Sequence, residues 1–90
     1  MYTVKPTVKF QRDLKRIKKR GYNIGLLTEV IKKLAAGDKL EKRYLDHPLK
    51  GNLKGCRECH ITPDWLLIYE ISGATLILYL TRTGTHADLY

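Results

Sequence analysis

The chain lacks what several function classes need. Among its 90 residues are two cysteines, Cys56 and Cys59, and one methionine, Met1. No apolar run approaches the ~20 residues of a membrane span. No basic stretch leads into an apolar one, so no signal peptide is expected; the expected compartment is the cytoplasm, where thiols stay reduced. Acidic residues are scarce, nine against seventeen Lys and Arg, for a formal charge of +8. No internal repeat, low-complexity segment or linker is visible. The length fits one domain, residues 1–90, with a core near the small end of what folds unaided.

The two cysteines form a motif all the same. Cys56-Arg57-Glu58-Cys59-His60 has the C-x-x-C-H spacing of c-type haem attachment. Haem would require export and, usually, a second axial ligand. One C-x-x-C is half of a four-ligand zinc site, and no second pair exists. Thioredoxin-type chemistry sets the motif at a helix N-terminus, and nothing after Cys59 reads as helical. On a strand from Leu53 to Ile61, alternation puts Cys56 and Cys59 on opposite faces with Cα atoms ~10 Å apart. A disulfide needs less than ~7 Å. Two ordinary strand cysteines are expected, and His60 becomes the informative residue.

The basic excess is lopsided. Residues 1–57 carry a net +11 and residues 58–90 a net −3. Such a field favours a polyanionic partner, whether nucleic acid, an acidic protein segment or anionic lipid. A merely solvated basic surface is the bland alternative.

Local patterns predict the elements. Tyr2 to Lys5 reads as a short strand stopped by Pro6. Thr7 caps a helix whose stripe is Phe10, Leu14 and Ile17, and Gly21 ends it. A second helix, Asn23 to Ala36, turns Leu26, Leu27, Val30, Ile31 and Leu34 inward, with Gly37 as its cap. The short link makes the helices an antiparallel pair. Residues 38–52 read as irregular. Three strands follow, Leu53–Ile61, Trp65–Ile71 and Thr75–Thr81, joined by turns at Thr62-Pro63-Asp64 and Ser72-Gly73-Ala74. The predicted order is β-α-α-β-β-β, an α+β fold with two N-terminal antiparallel helices on one face of a small, mainly antiparallel sheet.

Hairpin geometry then gathers distant residues. Centring the last turn near Gly73 sets Asp64 and Trp65 opposite residues near Arg82. His60 ends the preceding strand, and His86 follows Arg82 by four residues. His60, Asp64, Trp65, Arg82 and His86 should therefore meet at one sheet end, with His47 a weaker addition. Imidazoles exchange protons near neutral pH and serve as general base and acid. Asp64 can assist, and Arg82 and Arg57 can neutralise charge on a phosphate. Trp65 or Tyr90 offers a face to a nucleobase, though Trp65 also suits the core. RNA brings its own 2′-hydroxyl nucleophile, so its cleavage needs only a base, an acid and nearby cations. Each residue also has a plain structural role, and three histidines can alternatively bind zinc.

Three segments carry a resemblance: Asp46-His47-Pro48-Leu49-Lys50-Gly51, Arg57 to Tyr69, and Arg82 to Tyr90. In order and spacing they resemble the YafQ subgroup of the RelE/ParE-type toxins of bacterial type II toxin–antitoxin systems, and the similarity runs the length of the chain. The resemblance implies the same RelE-like fold and an endoribonuclease that cuts mRNA on the translating ribosome without metal or cofactor. It implies silencing by a cognate antitoxin in a hetero-oligomer. His47, His60, Asp64 and His86 fall on the family's active-site positions, and Arg82 falls on that of a phosphate-binding arginine. The C-terminal aromatic, often Phe in this group, is Tyr90. Two other classes stay open. One is a ParE-like gyrase poison, which would not need the histidines. The other is a non-catalytic nucleic-acid-binding module.

Overall fold

Both helices begin and end where the local chemistry predicts. In the computed structural model, which describes residues 1–90, strand β1 (Thr3–Pro6) leads into helix α1 (Val8–Lys19). The Thr7 hydroxyl accepts the Phe10 N–H at 3.1 Å, satisfying one amide of the open first turn. Helix α2 (Ile24–Ala35) is capped by Asn23, whose side chain accepts the Gly25 N–H at 3.0 Å. Each helix closes through a glycine at positive φ, Gly21 at +78° and Gly37 at +82°. There the next two amides fold back onto carbonyls of the last turn, as Gly37 to Leu34 and Asp38 to Lys33 do at 3.0 Å. No helix is long and apolar enough to cross a membrane.

The helices bury a narrower stripe than the sequence suggests. Phe10 and Ile17 of α1 and Leu27, Val30 and Leu34 of α2 are buried, whereas Leu14 and Ile31 are half-buried. Leu26 was expected inside but is 45% exposed. A helix advances about 100° per residue, so it sits to the side of the Leu27–Leu34 line.

The sheet holds one strand more than predicted. Its order is β1-β5-β4-β3-β2, with β2 at His47–Pro48, β3 at Arg57–Thr62, β4 at Trp65–Ser72 and β5 at Ile77–Gly84. β1 lies parallel to β5, and every other pair is antiparallel. The two-residue β2 arises inside the segment read as irregular, pairing His47 with Glu58. Strand β3 starts later than expected because Gly51–Leu53 forms a 3₁₀ turn. After β5, the tail winds into one helical turn, α3 (His86–Leu89), where no helix was predicted.

The β4–β5 register also differs. Arg82 stands opposite Ile68, not Asp64 or Trp65. Ser72 pairs with Ile77, so the turn holds four residues, Gly73 to Leu76, with Leu76 at φ +55°. The register shift between Ile68 and Tyr69 leaves Thr81 without a partner, which is a β-bulge. Both devices displace the pairing: Gly73 marks the turn but not its length, and nothing in the sequence marks the bulge.

Alternation divides the strands into two faces. Cys59, Ile61, Trp65, Leu67, Tyr69, Leu78 and Leu80 join the helices in one core. Glu58 and His60, paired with Ile68 and Leu66, take the other face. Trp65 belongs wholly to the first. It is 1% exposed, meets Tyr22 edge-on at 5.1 Å, and donates its indole N–H to the Thr83 hydroxyl at 2.9 Å. The expectation that it stacks on a base is corrected, because no ring face reaches solvent. Cys56 and Cys59 are free, and burial pushes the Cys59 thiol up to about 12.

Replacing Trp65 by Phe should remove that hydrogen bond and part of the packed ring. The expected loss is about 2 kcal/mol, read as a lower urea midpoint with an unchanged slope.

Candidate active site

β5 outruns β1. Their pairing stops at Pro6–Leu80, and α1 side chains then complete the exposed edge. The Thr7 hydroxyl donates to the Thr81 carbonyl at 2.9 Å, and the buried Asp13 carboxylate accepts the Thr83 N–H at 3.1 Å. Asp13 also accepts two bonds from Arg82, at 2.6 and 3.1 Å. Arg82 therefore lies in a groove with Lys9, Arg12 and Arg16, where its charge is already half-answered by Asp13.

On the second face the three histidines do converge. Their rings form a row, His47 to His60 at 6.5 Å and His60 to His86 at 6.4 Å between centroids, and Tyr90 extends it at 5.6 Å from His86. Three different elements supply it. β2 carries His47, β3 carries His60, and α3 sets His86 four residues before Tyr90, the spacing that stacks side chains on one helix face.

Two carbonyls fix how the first two rings carry their protons. His47 Nδ1 lies 2.6 Å from the Leu45 carbonyl, and His60 Nδ1 lies 3.2 Å from the Pro63 carbonyl. A carbonyl only accepts, so each Nδ1 holds a hydrogen. Both Nε2 atoms then face one carboxylate, Glu58, at 3.6 Å from His47 and 3.8 Å from His60. Two lone pairs directed at an anion repel it. A proton on either Nε2 would turn that contact into an ion pair.

Glu58 is the residue the sequence reading missed. It is 4% exposed and accepts a short hydrogen bond from the Tyr90 hydroxyl. The available signal was alternation: Glu58 and His60, two apart on a strand, share a face. The carboxylate expected in this role, Asp64, sits exposed in the β3–β4 turn and forms no ion pair with any histidine. Enclosure of its hydroxyl and the bond to Glu58 push Tyr90 up to about 12, so it stays a donor while its residue remains 60% exposed.

Arg57 is not at the histidines either. It pairs with Tyr69, on the helix-facing side, and donates to Asp46 at 3.2 Å. Tyr69 donates to the same oxygen at 2.7 Å. It anchors Asp46, the residue before His47, and so holds the loop that presents that imidazole.

A clamp sets the last element. Arg20, at the end of α1, donates to both oxygens of Asp88 at 2.6 and 2.9 Å. Asp88 also accepts the Thr85 N–H, and the Thr85 hydroxyl accepts the Asp88 N–H, a reciprocal cap. Gly84 (φ +155°) makes room for this, since a Cβ there would meet Asp88 at 2.9 Å. No set of three or more His, Cys, Asp or Glu is arranged to hold a metal ion.

Comparison with known proteins identifies the family. Residues 2–90 match the family described as bacterial toxin of type II toxin–antitoxin system, YafQ. The chain is 38% identical over 82 residues to the mRNA interferase toxin YafQ of Escherichia coli K12, covering 90% of this chain and 87% of that protein. Among solved structures it is similar to a metal-bound toxin from Helicobacter pylori, at 44% identity and TM-score 0.94 over the whole of both chains. It is also similar to YafQ in the E. coli DinJ–YafQ complex, at 34% identity and TM-score 0.91, covering 100% of this chain and 99% of that one.

The Arg20 bond is the main reason the Asp88 carboxyl lies well below its ordinary range. A lowered folded-state value adds stability that is present above the unfolded value and lost only as pH falls through the folded one. The clamp should therefore persist at about pH 3, below the usual carboxylate range, with the Asp88 carboxyl carbon still ionised by NMR. Asp88→Asn should loosen α3, speeding hydrogen exchange at the Tyr90 amide, which bonds the His86 carbonyl at 2.9 Å.

Proposed function

Because the chain belongs to the YafQ family of type II toxin–antitoxin toxins, we propose that it is an endoribonuclease that cleaves mRNA on the translating ribosome in the cytoplasm. The observation carrying this reading is the row of three imidazoles, two of them beside the buried Glu58. The relatives named mRNA interferase support the substrate.

Cleavage uses the RNA's own 2′-hydroxyl. That oxygen loses its proton to an imidazole and attacks phosphorus. The P–O5′ bond breaks, and the 5′ oxygen takes a proton from a second imidazole. The products are a 2′,3′-cyclic phosphate and a free 5′-hydroxyl, and no metal is required. His60 and His86, 6.4 Å apart between ring centroids, share the two transfers. Glu58 orients His60 and His47 and stabilises whichever ring is charged. His47 supports binding or proton transfer, and Asp64 assists from the rim. Tyr90, its hydroxyl pinned to Glu58, presents its exposed ring to a base. Arg82, together with Lys9, Arg12 and Arg16, attracts the phosphate backbone beside the cut.

The antitoxin partner follows from the same surface. The E. coli relative is described in complex with DinJ. For this chain the antitoxin is an acidic or amphipathic segment that covers the basic helices and the mouth of the histidine row.

After induced expression, sequencing of mRNA 5′ ends should reveal new 5′-hydroxyl termini. His86→Ala and His60→Ala should each lower their formation by about 10²–10⁴ while circular dichroism stays that of the parent. Intact mRNA together with inhibited gyrase, or full cleavage by His86→Ala, would overturn the assignment. Glu58→Gln keeps the shape but removes the charge, and should cost about tenfold or more as the nearby imidazolium loses its stabilisation.

A further inference from the structure

A cavity of about 370 Å³ adjoins the histidine row and shares His60 with it. None of the roles above uses it. Its floor is the 3₁₀ turn Lys42–Tyr44 with Leu45, and its wall is the end of β3 with Pro63. We propose that this cavity holds a nucleobase adjacent to the cleaved phosphate and sets the nucleotide preference of the toxin. The proposal rests on the histidine row being the cleavage site.

Three features select a flat heteroaromatic ring. The first is a cationic plane. The Arg43 guanidinium lies 4.6 Å over the Tyr44 ring centroid and bonds the Tyr44 hydroxyl at 2.8 Å. Tyr44 is buried while the Arg43 side chain is 69% exposed, its Nε also 3.4 Å from Glu41, so the guanidinium is held against Tyr44 and stays open to solvent. Nucleobases stack on such planes. The second is apolar lining from Leu45, Ile61 and Pro63. Leu45 is 59% exposed and held at φ +50°, an uncommon conformation for a branched side chain. The same backbone turn aims the Leu45 carbonyl at His47 Nδ1, so one strained residue serves both the cavity and the catalytic row.

The third feature is a strand edge. β2 pairs with β3 only at His47–Glu58 and Pro48–Arg57, and no strand lies beyond it. On that side His60, Ile61 and Thr62 have no strand neighbour. An uncovered edge presents backbone donors and acceptors, the groups that read the edge of a base. His60 reaches both spaces, so a nucleotide with its phosphate among the imidazoles has its base next to this cavity. The chain's net charge of +8 suits RNA as the occupant.

The test is equilibrium binding of short, uncleavable 2′-O-methyl oligoribonucleotides. One position at a time carries each of the four bases or an abasic unit. The parent should prefer one or two bases over the abasic unit at one position by roughly tenfold, the scale of a single stacked base. Leu45→Trp, which fills the cavity, and Arg43→Ala, which removes the exposed plane, should each flatten that preference while keeping the salt dependence of binding. His86→Ala should keep the preference while lowering mRNA cleavage by the factor given above. Base preference in a protein that does not cleave RNA would overturn the catalytic reading and leave the cavity's role standing. Equal affinity for abasic and intact oligonucleotides, no measurable binding, or preference undiminished in both cavity variants would overturn the proposal. So would weakened antitoxin binding with base preference unchanged, since the cavity would then belong to the antitoxin.

Discussion

The site depends on one buried anion. Glu58 is nearly inaccessible, yet its partners are a phenol and two imidazoles rather than a lysine or arginine. A carboxylate removed from water needs compensation. Here the compensation ties together three parts of the chain that share no secondary structure: the two-residue β2, the end of β3 and the last residue, Tyr90. The same carboxylate holds the tail on the sheet through Tyr90 and stands beside both imidazoles. Structure and acid–base chemistry come from a single contact.

Other acidic residues repeat the pattern on a smaller scale. Asp13 joins α1 to β5 through Arg82 and the Thr83 amide. Asp46 gathers Arg57 and Tyr69 behind His47. Asp88 ties α3 to the end of α1 through Arg20. In a chain with only nine acidic residues, these four sit at the joints between elements. No buried side-chain polar atom is left without a partner. The remaining cations are mostly exposed on α1 and in the loop before β2, where they stay available to a polyanion. Scarcity of acid thus serves two ends: the few carboxylates organise the site, and the unpaired bases keep the outer field positive.

Much of this was readable in sequence. Thr7, Gly21 and Gly37 announced helix ends because caps are local hydrogen-bond chemistry within a few residues. The apolar runs announced β4 and β5, and His60 and His86 were expected together because hairpins return the chain to the same sheet end, with His47 a weaker addition. Their convergence survived an error in register, since a row of long side chains tolerates a shift of a few residues. The choice of individual neighbours did not. Asp64 looked like the carboxylate because of the turn it occupies, and Glu58 was passed over inside a motif read for its cysteines.

Sequence by itself determined the helices, their caps, the strand-forming runs, the charge imbalance and the family likeness, all of which rest on short-range pattern. Tertiary structure decided the rest. The parallel pairing of β1 with β5 joins residues more than seventy positions apart. The four-residue turn and the bulge at Thr81 set which side chains meet across β4 and β5. Burial placed Trp65 inside and left Tyr90 out, and ion pairing drew Arg57 and Arg82 to carboxylates that no spacing rule marks. These outcomes depend on which surfaces find each other in space, and the energy of a long-range contact is written in neither partner alone.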